Sequence, residues 1–136
     1  SRLSKKRKKN QNYLISDEKS RISAQAVKYL LDGSYWAPDR PLVLIEKTIE
    51  NSICVGVFLD EALVGFARVV TDKAVFAWIA DVTVAKGHRG QGLGKEIINF
   101  IQAHPDIPEH SQLLRTRDAH GLYEQFGFKK NEVMSK

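Results

Sequence analysis

Apolar residues recur at helical spacing in three stretches of this chain and at strand spacing through most of the rest. Ile22, Ala26 and Leu30 stand four apart and the pattern stops at Asp32-Gly33, which predicts a first helix. Leu44, Ile45 and Ile49 follow Pro41, a residue tolerated in a first helical turn, and predict a second helix over Pro41–Asn51. Leu93, Ile97, Ile98 and Ile101 make the stripe of a third, which must stop before Pro105. Between the helices, Ile53–Leu59 and Leu63–Val70 flank a turn at Asp60-Glu61 and read as a hairpin. Thr71-Asp72-Lys73 then leads into a long strand over Ala74–Val84. Short strands are expected at Tyr13–Ile15 and Leu113–Thr116, and a last one starting at Phe128. Asp118 is the expected N-cap of a short helix through Phe126, closed by Gly127.

Connectivity follows from this order. Ala74 to Thr116 runs strand, helix, strand, so its two strands should lie parallel, while the earlier strands form an antiparallel meander. The fold class is therefore α+β, with a mixed, mostly antiparallel sheet, a central βαβ unit and flanking helices. The 136 residues suffice for one core, taken as a single domain over residues 11–136.

The most specific chemistry lies where the long strand meets the third helix. Gly90, Gly92 and Gly94 in Arg89-Gly90-Gln91-Gly92-Leu93-Gly94-Lys95 carry no Cβ and tolerate positive φ, so successive N–H groups can converge on an anion. The helix beginning near Gly92 adds unpaired amides and the positive end of its dipole, and Arg89 and Lys95 add full charges. A P-loop is excluded because Arg89 and Glu96 stand where a glycine and a Ser or Thr are required. A dinucleotide fingerprint is excluded because its third glycine position holds Lys95.

The spacing Arg89-x-x-Gly92-x-Gly94 after Asp81-Val82-Thr83-Val84 resembles the acetyl-CoA-binding motif of the GNAT superfamily of N-acetyltransferases. Asp118-Ala119-His120-Gly121-Leu122-Tyr123-Glu124-Gln125-Phe126-Gly127-Phe128 is similar to the family segment that carries a tyrosine acid. The resemblance covers roughly residues 13–130 and implies the GNAT acyl-CoA N-acyltransferase fold. It places the pantetheine arm of acetyl-CoA in a gap between the two parallel strands, held by backbone groups near Val82 and Val84. The amides from Arg89 to Lys95, those of Gly90, Gln91, Gly92, Leu93 and Gly94 included, would take the pyrophosphate. It also implies two terminal strands, of which residues 129–136 can supply one at most.

Acetyl transfer to an amine needs an uncharged nitrogen and a proton for the departing thiolate. An alkyl ammonium titrates near ~10, so a proton acceptor is required at neutral pH. Asp81 is the candidate base, because strand alternation puts it beside Ile79 and Thr83 and opposite Val82 and Val84; a substrate-orienting or structural carboxylate is the alternative. The resemblance makes Tyr123 the candidate acid, either protonating the coenzyme sulfur or hydrogen-bonding to it. Asp118 stands where many relatives have a coenzyme-contacting asparagine, and helix capping is its simpler role. Tyr35 and Trp36 lie in the region that shapes the acceptor pocket in relatives, where packing against an amine or closing the core are both open.

Charge changes the picture only locally. Arg2, Lys5, Lys6, Arg7, Lys8 and Lys9 stand among residues 1–10 without an acid, and removing those six charges from the net +5 leaves the rest at −1. This basic tail reads as a solvated extension; binding of nucleic acid is disfavoured because no aromatic residue interleaves the cations. Cys54, the single cysteine, lies in an apolar run, which excludes an internal disulfide and suits a reducing cytoplasm. No apolar run of transmembrane length occurs, the four histidines lack metal-ligand spacing, and neither membrane nor metal is called for. The expected activity is acetyl transfer from acetyl-CoA to a small-molecule or peptide amine in a ternary complex, with a non-catalytic acyl-CoA-binding regulatory module as the alternative. A homodimer stays open.

Overall fold

The computed structural model describes residues 2–34 and 38–136. Its sheet has six strands in sequence order: β1 (Leu3–Lys8), β2 (Gln11–Ser16), β3 (Ile53–Leu59), β4 (Ala62–Thr71), β5 (Ala77–Val84) and β6 (Gln112–Leu114). Every neighbouring pair is antiparallel except β5 and β6, which run parallel through Ala77–Ile79 and Gln112–Leu114. The helices are α1 (Ala24–Asp32), α2 (Leu42–Glu50), α3 (Leu93–Gln102) and α4 (His120–Glu124).

Two cores cover the two faces of the sheet. On one face α3 buries Leu93, Ile97, Ile98, Phe100 and Ile101 against Val55, Val57, Val69 and Ile79. On the other, α1 and α2 bury Val27, Leu30, Leu31, Ile45 and Ile49 against Cys54, Phe58 and Phe66. Each such side chain contributes about 1.5–3 kcal/mol by leaving water. Helix α1 starts where the Ser23 side chain accepts the Ala26 amide, and Gly33 follows its last turn.

The α+β class, the parallel pair and the first three helices follow the periodicity of the sequence; several boundaries and two whole elements do not. Residues 3–8 are not a solvated tail but strand β1, turned onto β2 by Lys9 and Asn10 at φ 45° and 61°. Alternation sends Lys6 and Lys8 to one side, where they meet Glu96 of α3 at 3.2 and 3.6 Å. Strand β5 begins at Ala77 rather than Ala74, because the Asp72 carboxylate accepts the amides of Ala74, Val75 and Phe76 and holds them in a turn. Asp118 does not cap α4: Thr116 Oγ1 accepts the Ala119 amide at 3.0 Å, and the helix spans only His120–Glu124. Gly127 takes φ 87° after that helix, but no strand forms from Phe128 onward.

Strand β5 also breaks its own alternation. Thr83 pairs with Phe66 and Ala80 with Arg68, so Asp81 and Val82 together face Ala67. This is a β-bulge with Asp81 in the left-handed region at φ 57°. Before it, Ala77 and Ile79 face the α3 core; after it, Val82 and Val84 do. Asp81 therefore does not share a side with Ile79, as unbroken alternation predicts, but turns with Arg68 toward α1 and α2.

Candidate active site

The bulge bends β5 away from β6 just after their three paired residues. Between the separated ends lies a cleft of about 650 Å³, with Ile79–Val82 on one wall and Leu114–Ala119 and Tyr123 on the other. Arg40, from the segment before α2, and Arg68, from β4, close its end. A second cavity, of about 350 Å³, lies across β6 and shares Trp78, Leu114, Arg115, Thr116 and Tyr123 with the first.

Asp81 and Tyr123, far apart in sequence, thus meet in one cleft. Tyr123 is 8% exposed, and its ring packs edge-on against Phe128 with centroids 6.0 Å apart. Asp81 has a 4% exposed side chain held by two guanidiniums: Arg40 Nη1 donates to Oδ2 at 2.9 Å and Nη2 to Oδ1 at 3.4 Å, while Arg68 Nε donates to Oδ2. Burial pushes its pKa up, but the hydrogen bonds and charges of Arg40 and Arg68 outweigh burial and hold the carboxyl below the ordinary aspartate value. Asp81 is thereby an ionised carboxylate and a weaker proton acceptor than a free one.

The glycine loop stands apart from this cleft and joins it through α4. A Cβ placed on Gly94 would lie 3.5 Å from Leu122, the residue before Tyr123. Gly90 and Gly92 take φ 78° and 77°, and nothing lies within 4 Å of where their Cβ atoms would stand. Among the described residues no acceptor faces the amides of Gly90, Gln91 and Gly92, and the first amides of α3 are unpaired by helix geometry. With the positive end of α3 behind them and the exposed Lys95 beside them, this donor set fits a pyrophosphate. The Arg89 side chain is turned partly back: its Nε donates to the Val84 carbonyl at 2.9 Å. That bond occupies one of the two backbone positions expected for a pantetheine arm, and Val82 is the one lining the cleft.

Tyr35 and Trp36 lie outside the described residues. Sequence reasoning passed over three residues that matter here. Arg68 and Asp81 each interrupt an apolar strand with one charge of opposite sign, and that complementarity was a usable signal. Arg40 gave none, since its partner is 41 positions away. Tyr13, read only as a strand residue, is 1% exposed and puts its hydroxyl 2.8 Å from His88 Nδ1, 2.7 Å from Gln11 Oε1 and 3.3 Å from Gln91 Oε1. It anchors the glycine loop to the sheet.

A splayed parallel pair followed by a glycine-rich helix start is the arrangement that the resemblance to the GNAT acyltransferases implies. A family model for the acetyltransferase (GNAT) domain matches residues 50–130, more than half of the chain, and the chain belongs to that family. A crystal structure assigned to the GNAT acetyltransferases, from Xanthomonas campestris pv. campestris, is 36% identical with a TM-score of 0.86, covering 91% of this chain and 92% of that one. An uncharacterised ycf52-like N-acetyltransferase of Prochlorococcus marinus is 34% identical over 80 residues, 55% of this chain and 44% of its own length. The histone acetyltransferase TAP1 of Glycine max is 32% identical over 92 residues, 59% of this chain and 39% of its own length. The chain spans less than half the length of these last two relatives.

Proposed function

We propose that this chain is an N-acetyltransferase that moves an acetyl group from acetyl-CoA to a primary amine by direct transfer in a ternary complex. The convergence of Asp81 and Tyr123 from opposite walls of one cleft carries this reading. Acetyl-CoA supplies the activated acyl group as a thioester. The amides of Gly90–Lys95 hold its pyrophosphate, and the exposed edge of β5 at Val82 receives the arm. Tyr123 hydrogen-bonds the sulfur and delivers a proton as the thiolate leaves; a phenol near ~10 does so only where the site favours transfer to a thiolate whose acid is near ~8.5.

Proton removal from the nitrogen falls to Asp81, directly or through water. Its depressed pKa rules it out as a strong base toward a free ammonium. An N–H on a nitrogen already bonded to the acyl carbon is far more acidic, and a weak base suffices there. The buried single thiol accords with our placing the reaction in a reducing cytoplasm.

The pairing of Asp81 with two guanidiniums also supports a second reading, a non-catalytic acyl-CoA-binding module. Calorimetric titration with acetyl-CoA followed by thiol release with an amine panel separates the two. One-site binding with turnover establishes the transferase, one-site binding without turnover the module, and no binding by folded protein removes both.

A further inference from the structure

The cluster at the closed end of the cleft is unbalanced. Arg40 grips both oxygens of Asp81, and Arg68 bonds to one of them while its Nη1 reaches Ser52 Oγ at 3.3 Å. The arginine side chains are only 19% and 16% exposed, so two guanidiniums share one carboxylate in a largely desolvated place. Residues 35–37, which precede Arg40, are Tyr, Trp and Ala and contain no acid to offset them. Elsewhere on the cleft, Arg115 lies with its guanidinium 5.9 Å over the Trp78 ring and has no acidic partner among the described residues. Among those residues the cleft is lined by four arginines and two aspartates, Asp81 and Asp118. Arg115, Arg117 and Asp118 are exposed, so the desolvated excess is the one charge by which Arg40 and Arg68 exceed Asp81, and that excess is costly unless an anion meets it.

We propose that the acceptor is an amine that also carries a carboxylate, and that Arg40 and Arg68 bind this carboxylate. The inference rests on the reading that the cleft performs acetyl transfer to an amine. Asp81 is then also a positioning residue: it fixes two planar guanidiniums so that their remaining N–H groups face the cleft. Guanidinium and carboxylate match in bidentate geometry, which a lysine at either position would not reproduce. The same positive excess repels polyamines and lysine-rich peptides, whose amines arrive among further cations.

The test pairs each candidate with its own neutral amide. Acetyl-CoA is offered with glycine, β-alanine and 4-aminobutanoate and with the three corresponding amides, and thiol release gives kcat/KM. The α-amide has the less basic amine, so its nitrogen is more often uncharged, and a preference for the acid in that pair must come from the carboxylate. One charge-assisted pair predicts a preference of about 10- to 100-fold for at least one acid over its amide. Arg40→Gln should collapse that ratio to about threefold or less, whereas a merely structural loss lowers both members alike. Calorimetry of the N-acetylated acids and N-acetylated amides on CoA-saturated protein reads the same preference without turnover. Acid binding at least about tenfold tighter than amide binding, and sensitive to Arg40→Gln, supports the carboxylate site even if no amine is acetylated, in which case the transfer reading alone fails. Equal or reversed preference in both measurements, or a preference that survives Arg40→Gln, overturns the proposal, and acetylation of the amides would leave the transfer reading standing.

Discussion

Replacing Asp81 by Asn removes one charge from the cleft and alters little else. The side chains are nearly the same shape, and Asn tolerates the left-handed backbone, here φ 57°, as well as Asp does. What disappears is the counter-charge of two guanidiniums. Breaking a buried ion pair from one side costs about 3–5 kcal/mol. Arg40 and Arg68 keep 19% and 16% exposure and recover part of their hydration, so the expected loss at neutral pH is about 2–4 kcal/mol. The dependence on pH has a definite sign. Despite burial, the two arginines hold the folded-state pKa of Asp81 below its unfolded value. Its contribution is therefore fully present above the unfolded value near ~3.9 and is lost as pH falls through the folded one. Urea unfolding of the parent and Asp81→Asn at a series of pH values should show curves well apart at neutrality that converge below about pH 4. Asp17, whose pKa is also lowered against its burial by the Arg2 amide and His104, steepens the acid limb of both proteins equally and cancels from the difference. A gap below about 0.5 kcal/mol at neutral pH, within the range of an ordinary surface change, or a gap that persists in acid, would refute the ionic cluster.

Tyr123→Phe should lower kcat by about 100-fold if the phenol is the acid, with acetyl-CoA affinity by calorimetry nearly unchanged; normal turnover removes Tyr123 from that role. Gly92→Val puts a branched side chain at φ 77° in open space. It should cost about 1–2 kcal/mol in unfolding experiments while weakening acetyl-CoA binding at least tenfold by about the energy of one or two charge-assisted bonds, and normal affinity would sink the loop assignment. Tyr13→Phe frees His88 and Gln91 from the sheet and should weaken acetyl-CoA binding about fivefold, the worth of one hydrogen bond, with the far-ultraviolet spectrum unchanged. Burial pushes the Cys54 thiol up to about 11, so a colourless-to-yellow thiol reagent at mildly alkaline pH should react with it only as fast as the chain unfolds; immediate labelling of folded protein would contradict the buried placement.

The helices were legible because each presents one apolar stripe to one core: Leu93, Ile97, Ile98 and Ile101 repeat at helical spacing whatever the rest of the chain does. The glycine loop was legible because its chemistry is local to seven consecutive residues. Strand β1 was not, because its pairing with β2 uses backbone groups that no side-chain pattern reports. Its lysines alternate between solvent and Glu96 of α3, and run together they look like a solvated tail. The turn before β5 and the cap of α4 escaped for a related reason. In each, one side-chain oxygen, that of Asp72 or Thr116, decides which backbone amides leave the regular pattern, and several residues nearby could have served as well.

The bulge at Asp81 joins the parts of the site that sequence could and could not show. Alternation named Asp81 as a candidate and set it opposite Val82 and Val84, but it gave Asp81 one wrong neighbour, Ile79, since one extra residue swaps every later side chain to the other face. That swap is useful to the site in two ways. It delivers the carboxylate to Arg68 and Arg40 on the α1 and α2 side, and it bends β5 off β6 so that the paired strands open into a cleft. A regular strand would have to give up one of these: without the bend, hydrogen bonding to β6 would continue past Ile79 and close the gap, and without the swap Asp81 would point into the α3 core with no cation to meet it. An aspartate in the left-handed region is thus the local cost of both. A residue deletion at Val82, which restores register with Ala67, should abolish acetyl-CoA turnover even where the sheet still folds.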